Sequence, residues 1–195
     1  MGYPTLDEIR DFCGLTEAEC PDTEAQAALD YAKGLIEEYC RCPFEAPASD
    51  SVYYYDGDGT RYLFSPPSGP FGSVTSVEYY DGSDWVDYDG DYYVQQNGEW
   101  IELDSPTSTG TQNWRVTGKL YRTLTDNQGA LLKRAALMLS RLALVPRDEP
   151  IGPSVRSISM EGLSYVYQAV DPGHPTGVNE IDHILRTLRR RVVHV

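Results

Sequence analysis

Apolar positions recur at helical spacing early in the chain. Ala25, Ala28, Leu29, Ala32, Leu35, Ile36 and Tyr39 fall on one face, with Asp30, Lys33, Glu37 and Glu38 opposite. The pattern predicts a helix packed on one side, signalled by Pro21, Thr23 and Gln26 and ending near Arg41 because Pro43 follows. Ahead of it, Thr5-Leu6-Asp7-Glu8 reads as a capping box for a helix running to about Cys13, with Gly14 as its terminator.

From Ser51 to Leu120 the period changes to two. Val52–Tyr55, Arg61–Phe64, Val74–Tyr80, Tyr92–Val94, Trp100–Leu103 and Trp114–Leu120 read as strands. Asp56-Gly57, Asp58-Gly59, Asp81-Gly82, Asp89-Gly90 and Asn97-Gly98 separate them with tight-turn dipeptides, which predicts an antiparallel meander. Thr125 and Gln128 form a second capping box. The helix behind it, about Asp126 to Leu144, is apolar nearly all round apart from Lys133, Arg134, Ser140 and Arg141. Neighbours must therefore bury it, within the subunit or between subunits. Ser154–Met160 and Leu163–Gln168 alternate like a hairpin about Glu161-Gly162. A last helix starts near Asn179, its stripe Ile181, Ile184, Leu185, Leu188 and Val192 bordered by Arg186, Arg189, Arg190 and Arg191.

These elements give an α+β fold with a small helical core of about four helices, an inserted antiparallel β-meander and a C-terminal helical tail. The segments are an N-terminal helical pair (1–50), a β insertion (51–122), a long core helix (123–150) and a hairpin plus C-terminal helix (151–195), together one structural unit.

Charge changes the picture. The net charge is −14, but residues 1–110 carry 23 Asp/Glu against 4 Lys/Arg, while residues 111–195 carry 7 against 12. So acidic a first half repels phosphates, which argues against a DNA-binding surface there. It suits either a solvated face or a wall past which DNA slides without sticking. Without a long apolar run or a basic-then-apolar leader, neither a membrane span nor a signal peptide is expected, and the expected compartment is the cytoplasm or a particle assembled there. Cys13, Cys20, Cys40 and Cys42 lack zinc-motif spacing and are expected as free or buried thiols.

Catalytic signatures are missing: there is no HExxH, GxSxG, P-loop or GxGxxG. His174, His183 and His194 have no convergent partners beyond Glu180, which is placed to share a helical face with His183. Asp56–Thr60 resembles the start of a calcium loop, but Pro67 stands where the bidentate Glu belongs. Asp81, Asp84, Asp87, Asp89 and Asp91 are better explained by turns than by a metal. No enzyme, metal or cofactor is expected. Tyr53, Tyr54, Tyr55, Tyr79, Tyr80, Trp85, Tyr88, Tyr92, Tyr93 and Trp100 put aromatics on both faces of the strands, one face for a core and the other for a protein partner.

The order of segments resembles the head–tail adaptor (connector, or head-completion) proteins of tailed bacteriophages. The helix ending Ile36–Tyr39 with its exit through Pro43-Phe44 matches that family's second helix. Leu63–Val77, with Pro66-Pro67 and Ser73–Val77, matches its first strand pair. Asp91–Val94 and Trp100–Leu103 match the next two strands. Val116–Lys119 followed by Leu131–Leu144 matches the strand and long helix, and Ile181–Val193 the closing helix with its arginine-rich tail.

The resemblance implies a structural protein of the virion, assembled in the host cytoplasm. It would form an oligomeric ring, commonly of twelve copies, under the portal, extending the DNA channel and offering a platform for the tail, stopper or tail-terminator protein. On that reading Ile181, Ile184, Leu185, Leu188, Arg189, Arg190 and Arg191 dock on the portal. Leu131, Leu132, Leu137, Met138 and Leu142 fill the subunit and ring core, and Trp85, Tyr88, Tyr92 and Trp100 make the tail-side or neighbour contact. Genomic DNA passes without sequence-specific binding, and no membrane is involved. The competing expectation is a carbohydrate- or calcium-binding β module with Trp85, Trp100 and the Asp-rich turns at its site. A hydrolase using Asp84 and Asp87 is more distant still.

Overall fold

The computed structural model describes residues 2–95, 97–145, 157–160, 163–166 and 176–189. The fold is α+β, with four helices and antiparallel sheets among the described residues, as the periodicities predict. The chain divides into two compact units, where the sequence pattern suggests four segments of one unit. Among the described residues, one unit is helical and takes those up to Cys40 and from Leu124 to Arg189; the other takes Arg41–Thr123.

In the helical unit, α1 spans Leu6–Cys13, α2 Asp22–Cys40, α3 Asp126–Leu144 and α4 Asn179–Leu188. Both capping boxes form: Thr5 and Thr125 accept from the amides of Glu8 and Gln128, whose side chains reach back to the cap amides. Gly14 ends α1 at φ 70°, a left-handed conformation natural to glycine. Arg10 clips α1 to the start of α2 by pairing with Asp7 and Asp22 and by donating Nε to the Cys20 carbonyl at 2.9 Å. The core of the unit sets large aliphatics against alanines: Ala25, Ala28, Leu29, Ala32 and Ile36 of α2 are buried, as are Leu132, Ala135, Ala136, Met138 and Leu139 of α3. Ser140 closes one polar gap by donating to the Ala28 carbonyl at 3.4 Å. A hairpin of β8 (Ser157–Met160) and β9 (Leu163–Val166) precedes α4.

The second unit holds β1 (Ser51–Gly57), β2 (Tyr62–Phe64), β3 (Phe71–Tyr80), β4 (Trp85–Asp87), β5 (Tyr92–Val94), β6 (Trp100–Leu103) and β7 (Gly110–Leu120). The pairing is antiparallel throughout, but the meander is not what forms. A four-stranded sheet runs β1-β7-β3-β4 and a three-stranded sheet runs β2-β6-β5. Only Asp81-Gly82 and Asn97-Gly98 close hairpins between pairing strands, β3–β4 and β5–β6. At Asp58 the chain leaves one sheet for the other through an Asx turn, with its carboxylate accepting from the Thr60 amide at 2.8 Å. Gly98, at φ +71°, lies so close to the Phe71 backbone that a Cβ there would collide with it. One core joins the sheets: Phe71, Val77, Trp114, Val116 and Leu120 from the larger, with Leu63, Ile101 and Leu103 from the smaller.

Candidate assembly surfaces

Strand alternation decides which aromatics the β unit shows. Tyr53 and Tyr55 turn toward the Phe71 ring and the core, while Tyr54 between them turns out. Burial pushes the Tyr55 phenol well above its ordinary range. On the outer face of the four-stranded sheet, Tyr54 and Tyr80 flank Trp85 at ring distances of 5.8 and 5.6 Å. The Arg115 guanidinium lies 4.5 Å over Trp85 and grips Glu78, its Nε donating to the carboxylate at 2.8 Å. This face is an aromatic platform whose central charges cancel.

The three-stranded sheet presents a different face. Register aligns Tyr62, Glu102 and Tyr93 across β2, β6 and β5, with Phe64 opposite Trp100. Tyr62 and Phe64 are each 42% exposed and Tyr93 58%. No hydrogen bond or ion pair reaches the Glu102 carboxylate among the described residues.

Of the four aromatics singled out from the sequence, Trp85 and Trp100 do face outward, but from different sheets on opposite sides of one core. They therefore do not converge on a single binding site, as the carbohydrate- or calcium-module reading needs. Tyr88 instead packs its ring 5.6 Å from Trp114 and bonds its hydroxyl to Asp104, while Tyr92, opposite Leu103 on edge strand β5, is exposed at that edge. Tyr54, Tyr62, Phe64, Tyr80 and Tyr93 are the outward aromatics that complete the two faces. Tyr54 and Tyr93 were legible from alternation once their neighbours' faces were assigned.

The acidic turns serve themselves. Asp81 accepts from the amides of Ser83 and Asp84 at 2.8 and 2.9 Å, and those bonds hold its carboxyl below the ordinary range. Asp84 accepts from the Trp85 amide at 2.8 Å. Among the described residues no three metal-binding side chains come together. Glu180 pairs with Arg134 rather than with His183. All four cysteines are free thiols.

In the helical unit, the closing-helix stripe is already occupied. Ile181, Ile184, Leu185 and Leu188 are between 0% and 3% exposed, buried in the core that α4 shares with α2 and α3. Arg186 and Arg189 are exposed, Arg189 standing 5.2 Å from the Tyr39 ring. Arg190, Arg191 and Val192 lie outside the described residues. On α3, Leu132 and Met138 are buried, whereas Leu131, Leu137 and Leu142 are half-buried along a side that also carries Arg134 and Arg141. Among the described residues no helix is long and apolar enough to cross a membrane.

This arrangement of helices and sheets has known counterparts. The chain aligns over 98% of its length, and 91% of the other chain, with a chain from the neck of an empty gene transfer agent particle computed with C6 symmetry, at a TM-score of 0.60 and 14% identity. Its fold is shared with a particle-neck chain. A second match, from the virion of a native gene transfer agent particle, covers 100% of this chain and 94% of the other at a TM-score of 0.58 and 12% identity. No family model and no curated protein matches the sequence.

The Arg115–Glu78 pair makes a pH prediction. Hydrogen bonds from Arg115 lower the Glu78 pKa, so the stabilisation is present above the unfolded glutamate's value and lost as pH falls through the lower folded one. Arg115→Gln is expected to be less stable than the wild type at neutral pH and to lose less on acidification, measured by thermal melts across the carboxylate range. Equal acid slopes for the two proteins would assign the pair no part in stability.

Proposed function

We propose that this chain is a structural head–tail adaptor of a tailed-phage-type particle, acting as a ring subunit rather than an enzyme. The observation that carries the reading is the end-to-end likeness in fold to a chain from a particle neck. The C6 symmetry of that neck suits rings whose copy number is a multiple of six, and twelve copies under a portal is the arrangement we favour. The charge distribution supports the same role. The β unit carries 13 acidic against 5 basic side chains, so a ring of such units would line a channel that repels phosphates and lets DNA pass with few stable contacts. Outward aromatic faces without a defined catalytic constellation fit a subunit that works through protein contacts, with portal on one side and tail or stopper on the other.

Because the α4 stripe is buried in its own unit, docking on the portal falls to the arginines at the helix end. Reversing Arg189, Arg190 and Arg191 to glutamate is expected to abolish attachment to DNA-filled capsids while leaving the melting temperature unchanged. Normal attachment by that variant, measured in an in-vitro head-completion assay, would refute the docking role.

A further inference from the structure

Two surfaces of the described chain each carry an unmet charge beside exposed apolar groups, and their signs are opposite. On the three-stranded sheet, the Glu102 carboxylate is set among Tyr62, Phe64, Tyr93 and Trp100 without a partner. An anion among aromatic rings is a receptor for a cation with apolar surroundings, because the rings and the carboxylate both attract positive charge. On the helical unit, Arg141 of α3 stands 6.0 Å from the ring of Phe12 of α1, which is 37% exposed. Arg141 has no acidic partner among the described residues, and Leu137 and Leu144, one helical turn to either side, are half-buried.

We infer that the occupant of the Glu102 face is a second copy of this chain, which inserts Arg141 of α3 beside Glu102 and lays Phe12, Leu137 and Leu144 against Tyr62, Phe64, Tyr93 and Trp100. Charge complementarity selects this occupant. The other aromatic face, around Trp85, already answers its central carboxylate with the Arg115–Glu78 pair and leaves only Asp87 of edge strand β4 without an ion pair among the described residues, whereas Glu102 lies on the central strand with a tyrosine on each side. Guanidinium on carboxylate is a directional, bidentate contact, and aromatic rings around it exclude water from the pair. The two surfaces differ, so the contact is head-to-tail and propagates from copy to copy until the rotation closes a ring. The inference rests on the ring reading and supplies the faces that would build it.

Native mass spectrometry of four samples tests it: wild type, Arg141→Glu, Glu102→Arg and the double variant. The wild type is expected to self-associate. Each single variant is expected to lose association on the order of 100-fold or more, since removing one member of a desolvated charge pair strands the other. Both surface changes should leave the melt unaltered. The double variant, and an equimolar mixture of the two singles, are expected to recover the oligomer, because in each a glutamate again faces an arginine across every contact. Single variants that assemble like the wild type overturn the inference, as does failure of both restored combinations. A wild-type chain that stays monomeric at all concentrations also overturns it, yet leaves the adaptor role standing, because a ring templated by the portal needs no self-association.

Discussion

Leu185→Ala is expected to destabilise the helical unit by about 2–5 kcal/mol, a large part of the roughly 5–15 kcal/mol that holds a typical domain folded. Leu185 is 1% exposed on α4, in a core with Ile36 of α2 and Leu132 of α3 that are both 0% exposed. Removing its branched end leaves a cavity between three helices whose close-packed side chains relax only partly into the gap. The measurement is a thermal melt followed by far-ultraviolet ellipticity, with a fall in midpoint on the order of 10 °C. The outcome separates two uses of the same stripe. Were Ile181, Ile184, Leu185 and Leu188 a surface kept for the portal, the variant would melt like the wild type and fail only in attachment. A normal melt would therefore return the stripe to the docking surface, and the fall expected here leaves attachment to the arginines that follow it.

Much of this architecture is written locally. Thr5 with Glu8 and Thr125 with Gln128 announce their helices because a capping box is made by residues three apart. The α2 stripe is legible because its face is set by helical period alone. Strand positions follow from alternation for the same reason. What alternation cannot carry is partner choice. β7 enters between β1 and β3 because its inward Trp114 and Val116 complete a core with Phe71 and Val77, a contact between segments far apart in sequence. Turn dipeptides mislead for a related reason. Asp56-Gly57 looks like a hairpin, but Gly57 is the last residue of β1 opposite Gly110, and Asp58 beyond it redirects the chain into the other sheet. β4 carries no alternation signal, because Trp85–Asp87 is only three residues between acidic turns.

The candidate surfaces were legible by residue type and not by placement. An aromatic crowd is visible in the composition, but which rings face a partner depends on register, as Tyr53, Tyr54 and Tyr55 show by pointing in, out and in. Glu102 carries no distinguishing signal in a chain with 30 acidic residues. It stands out only because pairing puts Tyr62 on one side of it and Tyr93 on the other, with no hydrogen bond or ion pair to its carboxylate among the described residues. The apolar stripe and arginines of α4 were both read from period, whereas the side of the stripe that meets the core is a tertiary decision.

Trp114→Ala is expected to have the largest effect in the β unit, costing about 3–5 kcal/mol. Trp114 is 3% exposed in the middle of β7, with the rings of Tyr79 and Tyr88 each 5.6 Å away. Those aromatic contacts add to the burial itself, and the void left by an indole is too large for neighbouring strands to fill without breaking their ladder. The consequence reaches both outer faces. β7 carries Arg115 to the platform around Trp85, and the core beneath Trp114 is shared with Leu63, Ile101 and Leu103, whose strands hold Tyr62, Phe64, Trp100 and Glu102 in register. The remaining tryptophans, Trp85 and Trp100, sit one on each sheet, so their emission reports the melt of this unit directly. Their joint transition is expected to fall to lower temperature, and self-association through the Glu102 face to weaken with it. An unchanged emission melt in Trp114→Ala would mean that the two sheets do not depend on a common core, and the two faces would then have to be treated as separately folded surfaces.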